Sequence, residues 1–491
     1  MSKKITHTDI IIVGAGIAGI ASAFYLKTKR PKSSFFILEA LDSFGGTWYT
    51  HKYPGVRSDS DLFTFGYSFK SWNNAPIATA SEILKYIGET ISENNLQNSI
   101  KYNHKIIQAD WSNSEKKWIL LVEHSITKQV LHFSCDFLQM CQGYYRQNQG
   151  YIPKWKNVEN FNGKFIHTEE WPNNVNYSNK KIIVIGSGAT AATTIPVLAK
   201  KAKHVTMLQR TPTFYRTSTI GTEEIANTLR KITDDAEWIH KIVREQILIN
   251  QEIFIKRCIE EPEKVKFELL EEIRDILGEN FDIEKHFSPS YRPWQQRIAL
   301  TPDAELFRSI ANKDVSVVTD EIDSFNENGI LLKSGEQLNA DIIIAATGFN
   351  MSILGDIKFS IDKKLINLKD TITYRGMMFT SIPNLIWTFG YFRQAWTLRA
   401  EMIANFMIKL INHMDSIDAK KITVRLRKKD QTMKILPWIG EEEFNPGYLS
   451  RALDKMPKSG SNMEWVHNQN YWYEKDIIPN IDLNGEEFIY E

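Results

Sequence analysis

Two glycine-rich runs stand out among the residues of this chain whose types and spacing could do chemistry. The first, Gly14-Ala15-Gly16-Ile17-Ala18-Gly19, follows the apolar run Ile10-Ile11-Ile12-Val13 and opens a helix-like stretch from Ile20 to Lys29. Glycine at 14 permits a sharp turn, glycine at 16 lets the backbone approach a pyrophosphate, and glycine at 19 lets helix pack against strand. A diphosphate can then rest on the helix N-terminus. A second apolar run, Phe35-Phe36-Ile37-Leu38, ends in Glu39, 20 residues beyond Gly19. An acid at that place accepts both hydroxyls of an unphosphorylated adenosine ribose.

The pattern returns at 181–199, where Ile182-Ile183-Val184-Ile185 leads into Gly186-Ser187-Gly188-Ala189-Thr190-Ala191. The next predicted strand, His204 to Leu208, ends in Gln209-Arg210-Thr211 rather than in an acid. Glu39 lies 25 residues after Gly14 and Arg210 lies 24 after Gly186, so the two side chains hold equivalent places in the two units. An acid there repels a 2′-phosphate, whereas Arg210 neutralises one and the Thr211 hydroxyl can hydrogen-bond it. The second unit is therefore expected to prefer NADP(H). A third segment, Asp341-Ile342-Ile343-Ile344-Ala345-Ala346-Thr347-Gly348, reads as a buried strand of the kind that returns the chain to a first nucleotide domain. Two nucleotides with opposite ribose signatures imply hydride transfer from NADPH to a flavin, since the flavin supplies redox chemistry that side chains cannot.

The elements that must position these runs come from a chain of 491 residues, long enough for several domains. Lys plus Arg total 60 against 59 Asp plus Glu, so no single-sign field exists to hold nucleic acid. Cys135, Cys141 and Cys258 are too few and too scattered for a disulfide framework, which points to a reducing, cytoplasmic setting. No cleavage-site pattern follows the basic start Met1-Ser2-Lys3-Lys4, and the uncharged run Ile10 to Leu26 contains three glycines and is short for a bilayer span. Residues 222–277 contain no glycine and one proline, Pro262, with Leu269, Leu270, Ile273, Ile276 and Leu277 at helical spacing before Gly278, and read as a helical insertion. Its glutamates read as a solvated face. The histidines and cysteines lack metal-site spacing, and no GxSxG nucleophile elbow is present. The fold class expected is α/β, with two Rossmann-like dinucleotide-binding domains, for FAD and NADP, and a helical insertion.

Beyond these units the chain resembles the type I Baeyer–Villiger flavin monooxygenases. Phe161-Asn162-Gly163-Lys164-Phe165-Ile166-His167-Thr168-Glu169-Glu170-Trp171-Pro172 fits the family fingerprint FxGxxxHxxxWP at every fixed position and lies between the nucleotide units, as it does in that family. Gly45-Gly46-Thr47-Trp48, Tyr53-Pro54-Gly55 and Asp59 fit a second signature, GGxWxxxxYPGxxxD. The resemblance spans essentially the whole chain and is nearest to the ethionamide-activating branch, which shares Tyr53 to Asp61, Gly186 to Ala191 and Gln209-Arg210.

The resemblance implies that Thr47, Trp48, Tyr49 and Thr50 surround the flavin, that the backbone at Ile107 meets its adenine, and that Arg57, Ser58 and Asp59 touch NADP. It further implies that Asp59 positions Arg297, in Pro293-Trp294-Gln295-Gln296-Arg297, and that Arg297 stabilises a C4a-peroxyflavin formed with O2. As a peroxide anion this species attacks a ketone and yields an ester or lactone; protonated, it oxidises the sulfur of thioethers or thioamides. Gln296 replaces a lysine that many members carry before the arginine, which leaves more of the 2′-phosphate discrimination to Arg210. His167 and Trp171 are read as coupling or structural groups. The expected organisation is an FAD domain at 1–148 and 341–491, an NADP domain at 149–215 and 291–340, and the helical insertion at 216–290. Two other readings stay open: an N- or S-oxidising flavin monooxygenase without ketone insertion, which Trp171-Pro172 disfavours, and a catalytically idle redox sensor. A flavin disulfide reductase is disfavoured by the missing dithiol. Oligomeric state is not legible.

Overall fold

The computed structural model describes residues 5–217 and 222–491, and the chain divides into two compact units. The first comprises Met1–Tyr49, Ile83–Tyr145 and Met351–Glu491; the second comprises Thr50–Glu82 and Arg146–Asn350.

The first unit begins with β1 (Ile5–Val13), α1 (Ile17–Lys29) and β2 (Phe35–Leu38), a parallel β-α-β step in which Ile12 pairs with Ile37. β1 starts five residues before the expected Ile10, because its partner on the other side, β6 (Val130–Met140), extends the parallel ladder back to Ile5. β3 (Ile100–Lys101), β4 (His104–Ser112) and β5 (Lys117–His124) complete this part; β4, β5 and β6 run antiparallel as a meander. Trp111 and Trp118 are fully buried and meet edge to face between β4 and β5, with ring centroids 5.7 Å apart.

The second unit is built on a five-stranded parallel sheet. Its strands are β7 (Lys164–His167), β8 (Lys181–Ile185), β9 (His204–Gln209), β10 (Val315–Thr319) and β11 (Ile342–Ala345), in the order β10-β9-β8-β11-β7. Strands rich in Ile and Val suit a sheet buried on both faces, and Ile182, Val184, Val205, Met207, Ile342 and Ile344 are buried accordingly. α2 (Ala189–Ala199) connects β8 to β9. The insertion is helical as expected: α3 (Thr222–Arg230), α4 (Ala236–Glu260) and α5 (Pro262–Leu277). Pro262 opens α5 at its first turn and Gly278, at φ 81°, closes it.

The chain returns to the first unit through β12 (Lys358–Ile361), β13 (Lys364–Leu365), β14 (Leu385–Trp387) and α6 (Trp396–Ser416). They complete a nine-stranded sheet, ordered β13-β12-β4-β5-β6-β1-β2-β3 with β14 paired to β6. Two boundaries differ from the sequence reading. The 342–345 strand lies between β8 and β7 in the second unit's sheet, so the return follows Asn350 rather than Ala340. Residues 50–82, expected within the first nucleotide domain, belong with the second unit. Within it, Gly55 packs on α2, where an added Cβ would stand 2.9 Å from the Thr193 carbonyl oxygen.

Candidate active site

In the first unit the turn after β1 takes the shape its glycines allow. Gly14 adopts φ 99° and donates its N–H to the Leu38 carbonyl at 2.9 Å, and a Cβ on Gly19 would lie 1.9 Å from the Gly14 oxygen. These two positions admit only glycine. Gly16 caps α1 without a side-chain bond, and no acid sits in the first turn. Opposite it, Gly46 (φ 54°) comes so near that a Cβ there would be 3.4 Å from the Gly16 Cα; Gly45 (φ 111°) donates to the Ala15 carbonyl at 3.0 Å. The result is a bare backbone cradle at an acid-free helix N-terminus, which fits a diphosphate. Beside it Gln142 has its buried amide nitrogen and oxygen without partners, and its Cα would lie 3.2 Å from a Cβ on Gly14. Nothing in the local sequence singled out Gln142, because its importance arises from β6 ending next to the turn.

Glu39 is buried, which pushes its carboxyl above the usual range against the pull of backbone N–H groups. One oxygen accepts from the Ala15 N–H at 2.7 Å and the other from the Leu41 N–H at 2.9 Å. The carboxylate expected to face a ribose thus also ties the glycine turn to the end of β2. Thr47, Trp48, Tyr49 and Thr50 form one helical turn after the glycine pair, and the Tyr49 hydroxyl donates to Asp42 at 2.7 Å. Ile107 sits where the register of β4 shifts, with its side chain exposed.

The second unit repeats the device. Gly186 adopts φ 131°, donates to the Leu208 carbonyl at 2.8 Å, and would place a Cβ 2.3 Å from the Ala346 oxygen. Gly188 caps α2 with no side-chain bond, and a Cβ there would meet nothing within 4 Å. That open space before a helix start without a side-chain cap, from Ala189 through Thr190 and Ala191, fits a second diphosphate. The Ser187 hydroxyl is taken by the Thr213 hydroxyl at 2.9 Å and the Thr211 carbonyl at 3.2 Å, so Ser187 shapes the loop with its side chain. Arg210 and Thr211 lie at the end of β9, the place equivalent to Glu39, and Arg210 is exposed there.

The loop 50–61 carries the remaining candidates. Arg297 Nη1 donates to Asp59 Oδ2 at 3.2 Å, both side chains about a third exposed. Arg57 Nη1 donates to Glu305 at 2.8 Å, while its other terminal nitrogen is buried without a partner. Ser58 lies beside them in the same loop. It is buried, its hydroxyl donates to the Ser60 carbonyl at 2.6 Å and accepts from the Ser60 N–H, and it serves to fold the loop. Burial raises the Tyr53 hydroxyl far above its ordinary range, and that hydroxyl bonds to Thr190 at the start of α2.

One buried pair escaped the sequence reading. His51 Nε2 lies 2.9 Å from Glu169 Oε1, linking the loop after the GGxW signature to the FxGxxxHxxxWP fingerprint. The fingerprint's own histidine, His167, accepts the Glu169 N–H at 3.1 Å and packs so tightly on Gly150 that a Cβ there would be 1.8 Å from its ring. Burial lowers its pKa.

Comparison with known proteins decides the family. A family model described as pyridine nucleotide-disulphide oxidoreductase matches residues 8–249. The chain is 41% identical over 482 residues, 98% of this chain and 97% of the relative, to the FAD-containing monooxygenase EthA of Mycobacterium tuberculosis. The chain belongs to the FAD-containing monooxygenases. Among solved structures, an oxidised steroid monooxygenase bound to NADP matches with TM-score 0.75 at 18% identity, covering 99% of each chain. An epsilon-caprolactone-bound cyclohexanone monooxygenase matches with TM-score 0.74 at 17% identity, covering 99% of this chain and 100% of the other. This monooxygenase therefore shares the fold of those enzymes. Among the described residues no helix is long and apolar enough to cross a membrane.

Proposed function

We propose that this protein is an NADPH- and O2-dependent FAD monooxygenase that converts ketones to esters or lactones and also oxidises the sulfur of thioethers or thioamides. The observation that carries this reading is the Asp59–Arg297 ion pair, in a chain that also holds two bare glycine cradles with opposite charges at their ribose ends.

The first cradle, Gly14 to Gly19 with Gly45 and Gly46, holds the FAD diphosphate, with Glu39 toward the ribose and Gln142 supplying amide donors. Bound FAD, reduced by NADPH, supplies the activation of dioxygen that no side chain offers. The second cradle, Gly186 to Ala191, holds the diphosphate of NADP, and Arg210 with Thr211 takes the 2′-phosphate. Arg297 remains cationic at every working pH and offers several N–H donors in a fixed plane, which suits the stabilisation of an oxygen anion. Asp59, by engaging one of those donors, fixes the orientation of the plane. Arg57, anchored by Glu305, keeps one nitrogen for a further acceptor. The cysteines take no part: all three are buried outside any disulfide, and burial pushes the Cys141 thiol up to about 11. They also suit a cytoplasmic setting. The solved enzyme described as bound to epsilon-caprolactone supports the ketone reading over oxidation of sulfur alone.

Anaerobic mixing of the FAD-loaded protein with NADPH tests the cofactor half of this reading. Bleaching of the flavin absorbance by NADPH, and much more slowly by NADH, is expected. A flavin that NADPH never reduces leaves only the redox-sensor reading.

A further inference from the structure

The longest helix of the insertion, α4, is apolar on two faces. One is covered by its own unit, through Ile239, Val243, Ile247 and Leu248. The other is bare: Trp238, Ile242, Ile249 and Ile253 are 45%, 42%, 43% and 54% exposed. At about 100° per residue these four fall within an arc of roughly 60°, as two apolar pairs on one face of the helix, separated by Glu245 and Gln246. Scattered exposed hydrophobes need no explanation, whereas four aligned on one helix face mark an interaction surface.

We propose that this stripe docks against the same stripe of a second copy of the chain, with the two α4 helices antiparallel about a two-fold axis near Gln246. The pattern of residues is self-complementary in that arrangement. A two-fold between positions 245 and 246 sets Trp238 opposite Ile253 and Ile242 opposite Ile249. The charges follow within two residues, about 3 Å along the axis and well inside the reach of a lysine side chain. Lys241 comes beside the second copy's Glu252, and Glu237 beside its Lys256, each pair occurring twice by symmetry. Parallel packing would instead set each charge against its own kind. Glu252 is held above its ordinary carboxyl pKa by burial, and the cation that acts on it is Lys256 of its own helix, so a second lysine from another copy meets a real need there. Glu245 is the opposing feature, because the axis brings it near its own mate, where the Gln246 amide is the available donor. Acids at 245 and 252 along the stripe disfavour burial in lipid, so a second protein copy is the occupant that fits.

Sedimentation of the full-length, FAD-loaded protein over about 1–100 µM tests this, a range set by the modest area of one helix face. A reversible monomer–dimer equilibrium is expected. Ile249→Glu should weaken it by at least about tenfold while leaving the thermal transition unchanged. Lys241→Glu should weaken it too, and Lys241→Glu combined with Glu252→Lys should restore it, a rescue that a folding defect cannot mimic. Glu245→Gln should tighten it. A protein that stays monomeric across the range overturns the proposal. So does an oligomer indifferent to these substitutions, or co-sedimentation with phosphatidylcholine–phosphatidylglycerol vesicles that Ile249→Glu abolishes.

Discussion

Asp59 and Arg297 stand 238 positions apart in the chain, yet their side chains meet at 3.2 Å within the second unit. Because both remain about a third exposed, the pair adds little to stability. The use proposed for it is orientation. Asp59→Asn keeps a hydrogen-bond acceptor but removes the charge, and should lower product formation about tenfold while NADPH oxidation continues. Substrate oxidation coupled to NADPH consumption, read as product formed per NADPH, checks this.

Gly186 and Gly188 differ in what their missing Cβ leaves open. At Gly186 a side chain collides with the Ala346 carbonyl, whereas at Gly188 it meets nothing within 4 Å. Gly188→Ala should therefore fold with an unchanged thermal midpoint but bind NADP at least about tenfold more weakly, since the methyl occupies the space of the diphosphate. Gly186→Ala should destabilise the protein itself. Calorimetric melting with NADP titration separates the two.

Arg210 is the exposed cation at the end of β9, proposed to meet the 2′-phosphate, and Gln296 brings no charge to assist it. Loss of a charge-assisted contact costs roughly 1.5–3 kcal/mol, so Arg210→Ala should raise the KM for NADPH about tenfold to a hundredfold and leave that for NADH nearly unchanged. Gln296→Lys should move the preference the other way. Steady-state kinetics with both nucleotides reads this directly.

His240 accepts the Trp72 N–H at 3.1 Å in a buried position, and burial, aided by Arg244, drops its pKa to about 4. Unfolded, the ring titrates near 6.5, so between about pH 4 and 6.5 the unfolded chain takes up a proton that the folded chain refuses. Stability is full above that window and falls as pH drops through it, by roughly 3 kcal/mol at most. His240→Asn, which keeps an acceptor for Trp72, should be less stable at neutral pH but lose less between pH 7 and pH 4. Thermal melts across that range would show the two curves converging.

The parts of this molecule that were legible in the sequence are those fixed by local backbone demands. Gly14, Gly19 and Gly186 are readable because a turn with positive φ or a carbonyl in the way excludes every other residue, and the apolar runs beside them are readable because parallel strands are buried on both faces. The insertion helices follow from periodicity, Pro262 and Gly278. What the sequence hid depends on contacts across long separations. His51 meets Glu169, and Gln142 stands beside Gly14, only because of how loops fold back, which no spacing reveals. Ser58 enters the reading only through the family resemblance, and the bonds its hydroxyl makes to Ser60 were not legible from spacing. Residues 50–82 look continuous with the first glycine unit, yet Tyr53 and Gly55 fasten them to α2 of the second.

The central claim is that this protein, loaded with FAD and supplied with NADPH, inserts one atom of dioxygen into a ketone. The direct measurement is mass spectrometry of the products formed from isotopically labelled dioxygen, NADPH and a panel of cyclic and linear ketones, with wild type and Arg297→Ala side by side. One labelled atom in an ester or lactone from the wild type, with a loss of at least about a hundredfold in Arg297→Ala, is the predicted result. Consumption of NADPH that yields only hydrogen peroxide, or label found in sulfoxides and never in an ester, would contradict it.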